Sequence, residues 1–165
     1  MNHSTYLTIL LCTYNRASLL KPLLEELTKQ VKEQSRNDIE ILLIDNNSNV
    51  QTKSICEEFQ KNHDFIRSEF EQKQGLAISR NKGLKLAKGK IIVFIDDDIN
   101  LESNWLKEIL ASSTKYTYKA FGGKVIPKWE REKPDYINLY GLFSLSQKIF
   151  PAHDNGDIEK LYPIT

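Results

Sequence analysis

Three adjacent carboxylates, Asp96, Asp97 and Asp98, close the run "KIIVFIDDDIN" at residues 90–100. Five apolar residues lead straight into them, as in a buried strand that ends in charge. At neutral pH the three anions repel one another, so something cationic must offset them. A hard divalent ion, Mn2+ or Mg2+, takes carboxylate oxygens and is commonly held by one or two of them together with phosphate oxygens. The chain is expected to turn after Asp96, which lets Asp96 and Asp98 approach one ion. The plainer alternative is a solvated acidic turn, since apolar strands often end in Asp.

Other reactive residue types collect after other apolar runs. "TYNR" follows the first, with Thr13, Tyr14 and Arg16; Asp45 and two asparagines follow the second. Tyr14 offers a flat face on which a base can stack. Arg16 offers a forked donor suited to phosphate. Arg80 and Asn81 fall in the first turns of a helix. Each has an ordinary structural reading beside the chemical one. Tyr14 fits a half-buried aromatic, Arg16 a surface charge, Asp45 a turn former or helix cap, and Arg80 and Asn81 plain helix surface.

The elements that must position these residues alternate. Near-continuous apolar runs predict strands over 6–12, 39–45 and 90–96, a weaker one over 65–71 and a further one over 120–127. Apolar residues at helical spacing predict helices over 17–34, 52–61, 75–88 and 103–113. Pro22 is expected in the first turn of its helix, Asn46, Asn47 and Ser48 supply caps for the next, and Ser103 or Asn104 caps the last. Gly83, in mid-helix, costs about 1 kcal/mol against Ala and is expected to allow close packing on the sheet. Strand–helix alternation with strands apolar on both faces specifies an α/β fold, a parallel sheet covered on both sides. Such sheets bind ligands beyond the carboxyl ends of their strands, where "TYNR", Asp45 and the three aspartates all fall. From residue 128 the periodicity stops, and Pro and aromatic residues dominate an irregular extension.

Composition excludes several classes. The 165 residues carry a net charge of +1, with 40% hydrophobic and 27% charged residues. No global field attracts nucleic acid or an anionic membrane, and no run reaches the roughly 18 apolar residues of a membrane span. "YLTILLC" is too short for a secretory signal and lacks a basic flank. Two cysteines, Cys12 and Cys56, make no disulfide framework; two reduced, buried thiols in a cytosolic protein are expected.

Together the segments "TILLCTYNR", "ILLIDNNS", "GLAISRNKGLKLAKGKIIVFIDDD" and "FGGKVIP" resemble, in order and spacing, the nucleotide-sugar glycosyltransferases of family 2, which have the GT-A fold. The resemblance covers roughly residues 6–127. It implies a donor-binding core at 1–127, with 128–165 leading toward an acceptor-binding half. Position by position, Thr13, Tyr14 and Arg16 match residues that line the nucleotide pocket. Asp45 matches the acid that hydrogen-bonds the base, usually uracil. Arg80 and Asn81 match residues near the nucleotide and its diphosphate. Asp96 and Asp98 match the DXD motif, the first near ribose and sugar hydroxyls and the last on the metal. Asp97 falls at the variable middle position, and Gly122 and Gly123 match a segment beside the donor sugar.

The implied activity is transfer of a sugar from a nucleotide-diphospho-sugar, a UDP-sugar by Asp45, to an acceptor hydroxyl with inversion. The partners implied are that donor and a saccharide or lipid-linked acceptor, in polysaccharide or glycoconjugate synthesis. Nucleic acid is not among them. The location implied is cytoplasmic, with peripheral association at the inner membrane face left open. The sequence departs from the family where the general base belongs: 128–165 has no Glu-Asp pair, and neither His153, Asp154 nor Asp157 has a context that promotes it. The base is therefore expected beyond Thr165, and the chain reads as truncated. The alternative is a non-catalytic module that binds a nucleotide sugar and metal. A phospho-receiver domain would need acids after the first strand, where "TYNR" stands. A nucleotidyltransferase would need a Gly-rich basic loop there.

Overall fold

The computed structural model describes residues 4–115 and Gly122. The chain divides into two units, Met1–Tyr116 and Thr117–Thr165. In the first, four strands and four helices alternate: β1 (Leu7–Thr13), α1 (Ala17–Glu33), β2 (Ile39–Asp45), α2 (Val50–Asn62), β3 (Ile66–Phe70), α3 (Leu76–Leu86), β4 (Ile91–Asp96) and α4 (Trp105–Lys115). The strands form one sheet in the order β3-β2-β1-β4. Every pairing is parallel, with Thr13 opposite Asp45 and Cys12 opposite Asp96. The α/β expectation holds. The strand expected over 120–127 lies outside the described residues except for Gly122.

Burial explains the sequence pattern. All of β2, and all of β1 but Cys12, is buried, so neither strand can alternate with polar residues. Leu7, Ile9 and Leu11 of β1 and Ile41 and Leu43 of β2 pack beneath α1, α2 and α4. Leu10, Leu42 and Ile44 point the other way, toward the end of α3. Gly83 makes that second layer fit: a Cβ there would lie 2.3 Å from Leu10 Cδ1. Among the described residues β4 pairs with β1 alone. Its burial is correspondingly partial, and Phe94 is 46% exposed.

Two expectations need correction. Pro22 is the sixth residue of α1, beyond its first turn. Both Pro22 and Ser18, whose carbonyl loses its helical partner, are exposed, so water can satisfy that oxygen. The side chain capping α2 is Asn49, which accepts from the Thr52 N–H at 3.1 Å, not one of residues 46–48. At α4 an orphan N–H, that of Leu106, is met by buried Gln30 Oε1 from α1 at 2.9 Å. Gln30 Nε2 also donates to the Glu102 carbonyl at 2.8 Å, so one amide docks α4.

A second polar cluster ties the connection between α3 and β4 to β1 and β2. Glu40 Oε1 accepts from Thr8 Oγ1 at 2.6 Å and from the Lys88 N–H at 2.7 Å. Thr8 Oγ1 in turn accepts from the Gly89 N–H at 2.8 Å. A Cβ at Gly89 would lie 2.4 Å from the Thr8 backbone nitrogen, so the close approach requires glycine. This anchor fixes where β4 begins, and the strand's length then sets where its aspartates end up.

Candidate functional site

The loops after β1 and β2 are joined to each other. Asn15 (φ 55°) and Asn47 (φ 62°) both take left-handed backbone, which asparagine tolerates better than most residues. Asn15 Oδ1 accepts from the Asn49 N–H at 2.7 Å, and the Asn15 N–H donates to Ser48 Oγ at 3.1 Å. Asn46, buried, extends the lattice. Its N–H meets the Thr13 carbonyl at 3.0 Å. Its side chain donates to the Lys73 carbonyl at 2.8 Å and accepts from the Gly75 N–H at 2.8 Å. Gly75 (φ 144°) turns the chain into α3. Three strand ends and the start of α3 are thus held as one edge.

On this edge the repulsion among the three aspartates is answered by two arginines. Arg16 Nη1 lies 2.9 Å from Asp97 Oδ1 and 2.8 Å from Asp98 Oδ2. Arg80 Nη2 lies 2.7 Å from Asp96 Oδ1. The chain does turn after Asp96, where β4 ends. The inward carboxylate is the middle one: the Asp97 side chain is 7% exposed, against 57% for Asp96 and 52% for Asp98. Asp97 Oδ2 also accepts from buried Thr13 Oγ1 at 2.7 Å. The hydrogen bond to Asp98, followed by the charge of Asp97, raises the Arg16 pKa. Burial pushes the Cys12 thiol up to about 11, with Arg80 opposing.

A cavity of about 410 Å³ opens over these residues. It is lined from the end of β1 (Cys12, Thr13, Tyr14 and Arg16), from the end of β4 (Asp96, Asp97 and Asp98), and by Asn46, Gln74, Gly75, Leu76 and Ser79. Strand order reverses between β1 and β4, and such a switch point is where open parallel sheets bind ligands. A larger groove of about 620 Å³ lies between α1 and α2, lined by Thr28, Lys32 and His63 among others. It touches no strand end and none of the residues singled out from the sequence.

The predicted residues fall unevenly around the cavity. Thr13, Tyr14, Arg16, Asp96 and Asp98 line it; Arg80 reaches it through Asp96. Asp45 does not line it. That residue is 2% exposed, with Oδ1 accepting from the Ser48 N–H at 2.9 Å and Oδ2 buried without a partner. Asn81 is exposed on α3. Gly122 is exposed in the second unit, and Gly123 lies outside the described residues. Sequence reasoning passed over Asp97, Asn46, Gly75 and Ser79. For Asp97 a signal existed: in extended chain the middle of three residues points opposite to its neighbours. For Ser79, buried and with Oγ unpartnered, none did.

The donor set suits a divalent ion that comes with phosphates. Asp96 and Asp98 turn exposed oxygens toward the cavity, and such ions need only one or two carboxylates when substrate supplies the rest. Among the described residues no group of three or more His, Cys, Asp or Glu side chains is placed to hold a metal unaided. No described helix is long and apolar enough to cross a membrane.

Comparison with known proteins agrees with this architecture. Residues 8–148 match the family described as glycosyl transferase family 2. The GalNAc(5)-diNAcBac-PP-undecaprenol beta-1,3-glucosyltransferase of Campylobacter jejuni is 34% identical over 124 residues, which are 74% of this chain and 39% of that protein. Among solved structures, S. aureus TarS 1-349 in complex with UDP-GlcNAc aligns with a TM-score of 0.65 at 23% identity, over 81% of this chain and 38% of that one. The mannosyltransferase PcManGT from Pyrobaculum calidifontis, in complex with GDP-Man and Mn2+, aligns at 0.57 and 24% identity, over 66% and 32%. The chain spans about two fifths or less of the length of these relatives. With its parallel sheet and its acids at the β1/β4 edge, the chain belongs to glycosyl transferase family 2 and has the GT-A fold.

Proposed function

We propose that this chain is the donor-binding part of a metal-dependent, inverting glycosyltransferase that uses a nucleotide-diphospho-sugar, a UDP-sugar by preference. The observation that carries the reading is the position of the Arg16–Asp97–Asp98 cluster in the cavity at the β1/β4 switch point. It pairs anions that suit a metal with guanidinium groups that suit a diphosphate. The start of α3 adds to this. Gly75 and Leu76 line the cavity, and the first backbone N–H groups of a helix favour phosphate oxygens.

In this reading Asp98, with Asp96 beside it, holds the ion, which when bound supplies a Lewis acid for the charge that builds on the departing diphosphate. Arg16 and Arg80 orient that diphosphate. Tyr14, 46% exposed, stacks on the base. Asp45 Oδ2 accepts from a base N–H. It is closed to solvent, so this contact requires the cavity to open at Asp45 when the base binds. Asn81 serves the nucleotide and its diphosphate beside Arg80, and the family resemblance alone assigns Gly122 and Gly123 to the donor sugar. The acceptor is a saccharide or a lipid-linked sugar, as the name of the Campylobacter relative indicates for that protein. The product belongs to polysaccharide or glycoconjugate synthesis at the cytoplasmic face of a membrane.

Calorimetric titration with UDP and GDP, each with and without Mn2+, tests the reading. UDP binding that strengthens with Mn2+ supports it. A folded, cooperatively melting chain that binds neither nucleotide would refute it.

A further inference from the structure

Arg16 stands where the proposed function puts a cation. A single nitrogen, Nη1, lies 2.9 Å from Asp97 Oδ1 and 2.8 Å from Asp98 Oδ2. It joins two carboxylates that would otherwise repel each other, and Asp98 is the residue that the metal needs. The position is built in from three sides. Asn15, in left-handed backbone, is held by Ser48 and Asn49. The Arg16 carbonyl is fixed by the N–H groups of Leu19 and Leu20, at 3.1 and 2.9 Å. Asp97 is fixed by Thr13. Even so, the Arg16 side chain is 47% exposed, and it lines the cavity. It can therefore leave without disturbing the core.

A bare metal ion must compete with this guanidinium for Asp98, whereas a diphosphate offers Arg16 a second, doubly charged partner that guanidinium binds with two parallel hydrogen bonds. We infer, on the strength of the nucleotide-sugar reading, that Arg16 is an internal counter-cation which the diphosphate draws off Asp98, so that metal binds together with nucleotide and poorly without it. Two ligands coupled in this way strengthen each other by the same factor. An ion that stays off the empty site also leaves Asp98 free to be filled as the donor arrives.

The test measures Mn2+ affinity, from the electron paramagnetic resonance signal of the free ion, with no nucleotide, with UDP and with GDP. Wild-type protein is compared with Arg16→Gln and with Lys73→Gln, which removes one positive charge from an exposed side chain at the same edge but outside the cavity lining. In the wild type, nucleotide should tighten Mn2+ binding by about tenfold or more, within the usual range of such couplings. Arg16→Gln should bind Mn2+ alone about tenfold more tightly than wild type, and added nucleotide should then tighten it little. Lys73→Gln should do neither. Equal gains in the two variants would mean a general field effect and overturn the inference, as would Arg16→Gln binding bare Mn2+ no better than wild type. In both of those outcomes coupling in the wild type leaves the nucleotide-sugar reading standing. If nucleotide fails to tighten Mn2+ in wild type and variants alike, that reading falls and the inference with it. Should Arg16→Gln not melt cooperatively, Arg16→Met is read by the same comparison.

Discussion

Thr13 Oγ1, at the end of β1, donates a 2.7 Å hydrogen bond to Asp97 Oδ2, just past the end of β4. Both residues are buried, and 84 residues of chain separate them. The bond joins the two strands at the point where the sheet order reverses, and it holds the carboxylate on which Arg16 rests. Thr13→Val keeps the shape and removes the donor, leaving a buried carboxylate oxygen with one partner fewer. The expected cost is about 1–3 kcal/mol, read as a lower urea midpoint with an unchanged denaturant slope. A midpoint equal to wild type would show that the bond contributes nothing.

Ligand binding separates Asp98 from Asp45. The Asp98 side chain is half exposed, and exposed ion pairs stabilise by about 0–1 kcal/mol. Asp98→Ala should therefore fold as wild type does but lose the Mn2+-dependent part of nucleotide binding. Asp45→Ala should weaken nucleotide binding by about 1.5–3 kcal/mol, the worth of a hydrogen bond to a charged group, with and without metal. Calorimetry on both variants checks the pair; a metal-dependent defect in Asp45→Ala would reverse the assigned roles.

The fold was legible because β1 and β2 are buried on both faces, which leaves the sequence no option but continuous apolar runs. Helices with one buried stripe were legible for the complementary reason. β4 reads as the most apolar strand, yet among the described residues it sits at an edge with Phe94 exposed. Hydrophobicity records what a strand packs against but not its neighbours in the sheet. At the candidate site the residue types were readable, and their partners were not. Arg16 meets Asp97 across 81 residues, a pairing that exists only once β1 and β4 lie side by side. Capping by Gln30 was hidden in the same way, because the donor it satisfies belongs to a helix 76 residues further on.

Gly83 tests the packing between α3 and the sheet. Replacing a mid-helix glycine by alanine ordinarily gains about 1 kcal/mol from helix propensity. Here the new Cβ would lie 2.3 and 2.7 Å from the two Leu10 methyl carbons. Leu10 is 1% exposed among Leu42 and Ile44, so it has little room to turn aside. Overpacking of about 1–3 kcal/mol should outweigh the propensity gain, and Gly83→Ala should melt lower than wild type. Combined with Leu10→Ala, its penalty should shrink, because the two sites share one contact. Strict additivity in that double-mutant cycle would show that Leu10 is not the obstacle.

The two thiols predict how stability responds to alkali. Burial, followed by the charge of Asp45, pushes Cys56 from its ordinary 9.0 up to about 12. The folded chain therefore keeps a proton that the unfolded chain gives up above pH 9. The contribution is unchanged below that pH and turns against folding as pH rises from about 9 toward 12. The slope is about 1.4 kcal/mol per pH unit for such a group. Cys12, raised to about 11, acts in the same direction over a shorter span and is partly exposed at the cavity. Urea denaturation at pH 8, 9 and 10 should show stability falling across the upper interval, and falling less steeply in Cys56→Ala. Since thiolate is the reactive form, iodoacetamide at pH 8 should label both cysteines far more slowly in the native chain than in urea. Labelling of native Cys12 at the unfolded rate would mean that Arg80, and not burial, governs its proton.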